Sequence, residues 1–255
     1  MNYLKRLYEE LERQCGLHAD EIYNYAVPQS WNLYGYRPAK SIRSKELLVH
    51  PYEFYLFTLR HILKDADGNW KQPQKTAGKT SDRSWLKNAS IYSLMVRTAT
   101  AWDHDRDDRL VSDNLYHLND NGTFLKSILL LPLLKRMGIN TILLHQIFPL
   151  CKTQNAHDYP VKEAVTDFRK LDDTLKDNLI SELCAEEQCA AFIEAATCWD
   201  SVYFLNTVRV SLPEKTAITK NIRNGSSGMM QTGKMLTMRR CAMHCRRTRF
   251  PFPMH

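Results

Sequence analysis

Residues 122–145 read GTFLKSILLLPLLKRMGINTILLH and carry the clearest secondary-structure signal in the chain. Its first part, Phe124 to Met137, is apolar at too many positions for one narrow stripe, which predicts a mostly buried helix with Pro132 unusually inside it. Gly138 predicts the end of that helix. Ile139 to His145 follows directly as a nearly continuous apolar strand, and such strands are typical of sheets covered on both faces.

The flanking sequence extends this pattern in both directions. Ser90 to Arg97 reads as a strand, and the polar loop from Thr98 to Asn121 joins it to the helix. Strand, crossover helix and strand together form the βαβ unit of a parallel sheet. A further helix is predicted over Leu175 to Ala196, and Val202 to Leu205 is the candidate for a third parallel strand.

The first 85 residues predict a separate, mostly helical module. Residues 2 to 15 have helical apolar spacing, with Gly16 as a candidate C-cap, and His50 to Leu63 is a second helix. The aromatic cluster Trp31 to Tyr36 has two interpretations: a small core between the helices, which we favour, or a platform for stacking carbohydrate. The polar stretch Asp65 to Ser84 is rich in helix breakers and predicts an exposed connector, with a module boundary near residue 85.

The distribution of charge marks a second boundary in the chain, near residue 197. The net charge is +7, but residues 197–255 hold ten Lys/Arg and two Asp/Glu, a net of +8, so the rest of the chain is close to neutral. No apolar run is long enough for a membrane span, and the first residues lack a signal-peptide pattern. Seven scattered cysteines favour reduced thiols. We therefore expect a cytoplasmic protein with no membrane partner.

The segment from Asn88 to Pro149 resembles the opening of the catalytic domain of the alpha-amylase family of glycoside hydrolases. The resemblance rests on IYSLMVRTATAWDHD, on GTFLKSILLLPLLKRMGINTILLHQIFP and on the turn Gln146 to Pro149. It continues through DFRKLDDTLKD, which ends at Asp177, and through EEQCAAFIEAA from Glu186 to Ala196, and so covers roughly residues 88–196.

The resemblance implies an α/β fold, a partial (β/α)8 TIM barrel containing the first two or three β/α units. The expected organisation is an N-terminal module at 1–85, the partial barrel at 86–196 and a disordered basic tail at 197–255. The implied activity is retaining hydrolysis or transglycosylation of alpha-glucosidic carbohydrate, such as an alpha-glucan or a sucrose-like sugar. In the family the nucleophilic Asp and the acid/base Glu follow the fourth and fifth strands, so no catalytic residue is assigned here and the chain is expected to be inactive.

The same resemblance implies two substrate-binding candidates. Tyr159 is similar to the family tyrosine that stacks under the reacting sugar, although an ungapped count back from Phe168 and Asp172 places Glu163 at that position instead. His145 ends the second strand, on the side that faces the family's active site. A histidine satisfied inside the barrel is the alternative for His145. A third interpretation of the whole chain is a non-catalytic carbohydrate-binding protein that uses the N-terminal module.

The acidic run Asp103 to Asp108 lies where some members of the family bind structural calcium. Alternating carboxylates suit Ca²⁺, but no glycine and no closing bidentate Glu complete a recognised calcium loop. We favour a solvated acidic loop compensated by Arg106 and Arg109, with no metal and no cofactor, and calcium is the alternative.

The tail from Thr197 onward predicts a reading-frame error. In a frame shifted by one base, residues 197–202 can be read as HMLGFR, and residues 221–228 as EHPEWFFW, both of which resemble the family. The clusters of Arg, Met and Cys then have no selected function. The rival interpretation is nucleic-acid binding by MRRCAMHCRRTRF, which lacks any recognisable module. Cys241, His244 and Cys245 lack a second ligand pair at zinc spacing, so no zinc site is predicted.

Overall fold

The computed structural model describes residues 3–43, 45–72, 87–152, 160–165, 167, 169–199 and 202–205. It is a mixed structure of helices and small sheets. The basic tail beyond Leu205, Tyr159 and the end of the connector around residue 85 lie outside the described residues, so the predictions for them stay predictions.

The N-terminal part combines two helices with a small sheet. Helix α1 spans Tyr3–Leu17, and α2 spans Pro51–Leu63. Between them, β1 (Tyr25–Pro28), β2 (Lys40–Arg43) and β3 (Glu46–Val49) form an antiparallel sheet in the order β1-β3-β2. The helices were predicted, whereas the sheet was not, because each strand has four residues and is too short to show alternation.

The aromatic cluster at 31–36 belongs to this core, as the favoured interpretation predicted. Tyr36 is buried, its ring packs against Phe54 and Phe57 of α2, and its hydroxyl donates to Glu53 at 2.7 Å. Tyr34 instead stacks on His61. The rings therefore contact separate neighbours rather than forming one exposed platform.

The predicted βαβ unit is present. Strand β4 (Ile91–Met95) pairs in parallel with β5 (Thr141–His145), and β5 pairs in parallel with β8 (Val202–Leu205), giving the order β4-β5-β8. A short helix, α3 (Val96–Ala99), follows β4 directly. A hairpin of β6 (Leu150–Lys152) and β7 (Pro160–Val165) follows β5.

The crossover helix differs from the prediction because it is broken in two. Helix α4 spans Phe124–Ile128 and α5 spans Leu131–Arg136. Pro132 therefore lies in the first turn of α5, where a residue without an N–H costs nothing. Gly138 ends α5 at φ 75°, as predicted.

The helix predicted over 175–196 is shorter than expected. Two 3-10 turns, Asp173–Leu175 and Asn178–Ile180, precede helix α6, which spans Ala185–Cys198. The side chains of Asp172 and Asp177 accept backbone N–H groups at the start of these turns. Such local bonds compete with a continuous helix, and the apolar spacing of the segment does not register them.

One hydrophobic core joins the N-terminal helices to the parallel sheet. It includes Leu4 and Leu7 of α1, Tyr55 of α2, Leu144 of β5 and Phe192 of α6, all with no exposed surface. None of the helices among the described residues is long and apolar enough to cross a membrane.

Candidate functional site

The two faces of the parallel sheet are buried to different degrees. Leu94, Ile142 and Leu144 point toward the helices and are fully buried. Side chains alternate along a strand, so the neighbouring residues point to the opposite face. There, Ile91 is 55% exposed and Ser93 is exposed. The second face is therefore open to solvent at Ile91 and Ser93, whereas Thr141 on the same face is buried.

His145 lies on this second face at the carboxyl end of β5. It is opposite Met95 in the strand register, and its Nε2 is 3.3 Å from the hydroxyl of Ser93. Both strands end at this edge, as the parallel register requires. His145 is half-buried, so its side chain is accessible at the sheet edge.

An ion pair fixes the turns that follow the strands. Arg97 donates to Asp172 at 2.6 Å, and the backbone N–H of Asp172 donates to the carbonyl of Ile147 at 2.9 Å. Between His145 and Ile147, Gln146 has a φ of 55°, in the left-handed region. The segment after β5 is thus tied to the segment after β4 through contacts between residues far apart in the chain, which the sequence alone did not predict.

The carboxylate at this edge serves a structural role. Asp172 accepts from Arg97 with one oxygen and from the backbone and hydroxyl of Thr174 with the other. Retaining glycoside hydrolysis uses two carboxyl groups about 5 Å apart across the scissile bond. No such pair faces the carboxyl ends of β4 and β5 in the part of the chain that the structure describes.

The loop after β4 is held by a buried polar network. The Lys126 ammonium, fully buried, donates to Nε2 of His104 at 2.9 Å and to the carbonyls of Asn119 and Asn121. The Nδ1–H of His104 donates to the carbonyl of Ala26 at 2.6 Å, which fixes the tautomer of the ring. The network therefore ties the loop to both α4 and β1.

Burial and charge set the protonation of this network. Burial, and secondarily the positive charge of Lys126, lowers the pKa of His104 well below its usual value, so the imidazole is neutral. Burial also lowers the pKa of Lys126 to about 8, against the opposing effect of the Asp177 and Asp120 carboxylates. At neutral pH the lysine is an ammonium whose three protons match its three acceptors.

The acidic run of the loop brings three carboxylates together. Asp103, Asp105 and Asp107 each offer an oxygen, and these oxygens lie within 4.8 Å of one another. Arg106 and Asp108 have φ values of 64° and 63°. In a calcium loop the first, third and fifth residues are ligands and the sixth is a glycine in a sharp turn, which here is the place of Asp108.

The fit to calcium is partial. One carboxylate oxygen of Asp105 is buried and has no hydrogen-bond partner. Coordination to a cation would satisfy this oxygen. Asp103, in contrast, accepts the backbone N–H groups of residues 106–108. The twelfth position is Asn114, which bonds to Asp120 instead of closing the loop. These three carboxylates would hold a divalent cation weakly, and the solvated loop stays a prediction.

A calcium site in this loop would stabilise the folded chain modestly, whereas the favoured solvated loop predicts no effect of calcium on stability. A Kd of about 1 mM, the range of weak calcium modules, gives about 1.4 kcal/mol at about 10 mM Ca²⁺, or a Tm higher by roughly 3–5 °C. Thermal unfolding with CaCl2, MgCl2 and EDTA measures it. Asp105→Asn should abolish the rise, whereas Asp67→Asn, in a different loop, should retain it. An unchanged Tm in CaCl2 would favour the solvated loop.

Comparison with known proteins gives limited similarity. No protein-family model matches the sequence, and no curated protein matches it. Among solved structures, the trehalose-6-phosphate hydrolase of Bacillus licheniformis is 16% identical with a TM-score of 0.35, over 57% of this chain and 21% of that one. The debranching enzyme of Nostoc punctiforme is 16% identical with a TM-score of 0.36, over 56% and 28%. The chain thus spans less than a third of either structure.

Proposed function

We propose that this chain contains the opening β/α units of an alpha-amylase-type domain, a partial (β/α)8 barrel, and that it binds alpha-glucosidic carbohydrate without cleaving it. The observation that carries the proposal is the parallel pairing of β4 and β5, with buried side chains on one face and a second face that is partly open to solvent. This topology accompanies the sequence resemblance over residues 88–196. In TIM barrels the carboxyl ends of the strands form the active-site face.

His145 is the proposed sugar contact within this site. Its imidazole lies at the carboxyl end of β5 beside the Ser93 hydroxyl. A histidine nitrogen and a hydroxyl both exchange hydrogen bonds with sugar hydroxyls. Tyr159, outside the described residues, remains the proposed stacking residue, although the ungapped count falls on Glu163, which has no ring to stack on a sugar.

Cleavage is not proposed, because the carboxylate at this edge is Asp172 and it is bonded to Arg97 and Thr174. Hydrolysis or transfer would need two carboxyl groups on opposite sides of the bond. The proposed activity of the described part is therefore binding, and the family's chemistry would require groups beyond the described strands.

Binding of maltoheptaose tests the proposal. We expect saturable binding by calorimetry and no release of reducing sugar. His145→Ala should weaken binding roughly five- to tenfold, the equivalent of about one neutral hydrogen bond. The matched control is His61→Ala, which removes an exposed imidazole from α2 and should leave binding unchanged. Cleavage of an alpha-glucan by the purified chain would contradict the proposal, and so would an absence of binding.

We also propose that the coding sequence carries a frameshift near codon 196, just before β8. The support is that the shifted readings of residues 197–202 and 221–228 agree on one frame. The nucleotide sequence tests this directly: we expect the alternate frame to stay open and to continue a barrel-like sequence. Early stop codons in that frame would overturn the idea.

A further inference from the structure

An exposed apolar patch lies where the turn after α1 meets the loop after β4. The two segments are joined by the rings of Tyr23 and Tyr116, whose centroids are 5.6 Å apart. Their chain neighbours Ile22 and Leu115 are 94% and 76% exposed, and Leu17, the last residue of α1, is 65% exposed. Single exposed apolar residues are normal, whereas a group of them in one place marks an interaction surface.

This patch of Leu17, Ile22 and Leu115 has acidic surroundings. Residues 17–24 hold two acidic residues and no Lys or Arg. On the other side, the Asp105 carboxylate accepts the backbone N–H of Leu115 at 2.9 Å, and residues 103–116 hold five Asp and two Arg. The two segments therefore carry a net charge of −5, with histidine neutral. A partner for this surface should be both basic and apolar.

The chain's own tail contains a segment with these properties. Residues 238–250, MRRCAMHCRRTRF, hold five Arg, two Met and one Phe, and no acidic residue. Arginine is the side chain that pairs best with carboxylates, and methionine adapts to irregular apolar surfaces. Between Leu205 and Met238 lie 32 residues, which can span roughly 100 Å when extended, about three times the diameter of a small domain. The segment is therefore long enough to reach the patch.

We propose that residues 238–250 dock on the patch of the same chain, with Met and Phe covering Ile22 and Leu115 and the arginines facing the surrounding carboxylates. Exposed ion pairs each contribute little, so the apolar contact supplies most of the affinity and the charges orient the segment. A segment on the same chain binds without the full cost of bringing two molecules together, so modest contacts suffice.

This docking is independent of the two proposals made above. It uses neither His145 nor the parallel strands, so it does not rest on carbohydrate binding. It depends on the composition of the translated tail, however that sequence arose, so it does not rest on the frameshift either.

The δ1 methyl resonance of Ile22 reports on the patch in the full chain. In a sample labelled only at Ile methyl groups, the resonance is assigned by its disappearance in Ile22→Val. One variant replaces the five arginines of residues 238–250 with Gln. We expect it to move the Ile22 resonance toward the position that the wild type shows in 1 M NaCl, where the Debye length falls to about 3 Å.

The matched control makes the same change of charge elsewhere in the tail. It replaces the five other basic residues beyond Leu205 with Gln, which are Arg209, Lys215, Lys220, Arg223 and Lys234. The Ile22 resonance should stay at its wild-type position in this control. A dispersed spectrum for each variant confirms that it folds.

Tryptic cleavage of the tail tests the apolar contact from the other side. In the double variant Ile22→Ser with Leu115→Ser, we expect cleavage after Arg246 to become about fivefold faster, because the undocked segment is more populated. Cleavage after Arg209, outside the docking segment, should keep its wild-type rate.

Three results would overturn the proposal. The Ile22 resonance could stay in place when the five arginines of residues 238–250 are removed. It could move equally in the control, which would indicate a general effect of charge. It could also move on dilution of the wild type, which would assign the patch to a second copy of the chain.

Discussion

Lys126→Met is expected to reduce the free energy of unfolding by about 3–5 kcal/mol, the usual cost of removing one partner from a buried charge network. Methionine has a similar length and fits the space, so the loss comes from the polar groups left behind. His104, Asn119 and Asn121 each lose their donor in the interior. Asp177 and Asp120 lose the compensating charge that the lysine supplies.

Denaturant unfolding of the purified chain measures this loss. The matched control is Lys5→Met, the same substitution at a position in helix α1 whose side chain is 59% exposed and lies 3.6 Å from Glu9. An exposed pair of this kind contributes little, so the control should differ from wild type by less than about 0.5 kcal/mol. A loss below about 1 kcal/mol for Lys126→Met would show that the network does not hold the loop.

The pH dependence gives the same prediction a second readout. The pKa of Lys126 is lowered to about 8 in the folded state, below its ordinary value of 10.5. Between these two values the unfolded chain binds more protons than the folded chain, so this lysine adds stability as pH rises. The difference between wild type and Lys126→Met should therefore widen above pH 8, by up to about 1.4 kcal/mol per pH unit.

The elements that sequence could predict are those whose signal is local. The apolar strand ending at His145 and the glycine at 138 were predicted because burial and chain reversal leave a mark within a few residues. The break between α4 and α5 is also local in origin, since Pro132 marks the first turn of a new helix. We predicted one continuous helix with Pro132 inside it, because the apolar run continues without interruption.

The features that sequence could not predict join residues far apart in the chain. Ala26 and His104 are 78 positions apart, and His104 and Lys126 are 22 positions apart. Glu46 and Trp102, which line one cavity, are also far apart in the chain. A lysine inside an apolar helical run is a sequence signal that could have pointed to the network, because a fully buried lysine needs partners.

The acidic loop Asp103 to Asp108 shows what the backbone conformation adds to the sequence. Its composition predicted either a solvated surface or a calcium site, and composition could not decide between them. The backbone adds that Arg106 and Asp108 adopt left-handed conformations, which are uncommon for residues other than glycine. The sequence signal for calcium was weakened because the residue at the sixth position is not glycine, whereas the backbone keeps the turn.

Gly122→Ala is expected to reduce the free energy of unfolding by about 3 kcal/mol, at the upper end of the cost of overpacking. A Cβ at this position would lie 2.0 Å from the carbonyl oxygen of Val96 and 2.9 Å from backbone atoms of Arg97. Backbone atoms cannot rotate away as a side chain can. The N–H of Gly122 also donates to the carbonyl of Arg97 at 2.7 Å, so the contact cannot lengthen without losing that bond.

Gly16→Ala is the matched control, because a Cβ there would meet nothing within 4 Å and the residue lies in the last turn of α1, not past its end as predicted. Alanine favours a helix by about 1 kcal/mol over glycine, so this variant should be more stable than wild type. A loss of stability in Gly122→Ala and a gain in Gly16→Ala would separate the effect of steric overlap from that of helix propensity. The Gly122→Ala variant should also weaken maltoheptaose binding. The added Cβ would displace the backbone of Arg97, and Arg97 holds the turn after His145 through its ion pair with Asp172. Equal stability of the two variants would show that the segments after β4 and before α4 do not pack this closely.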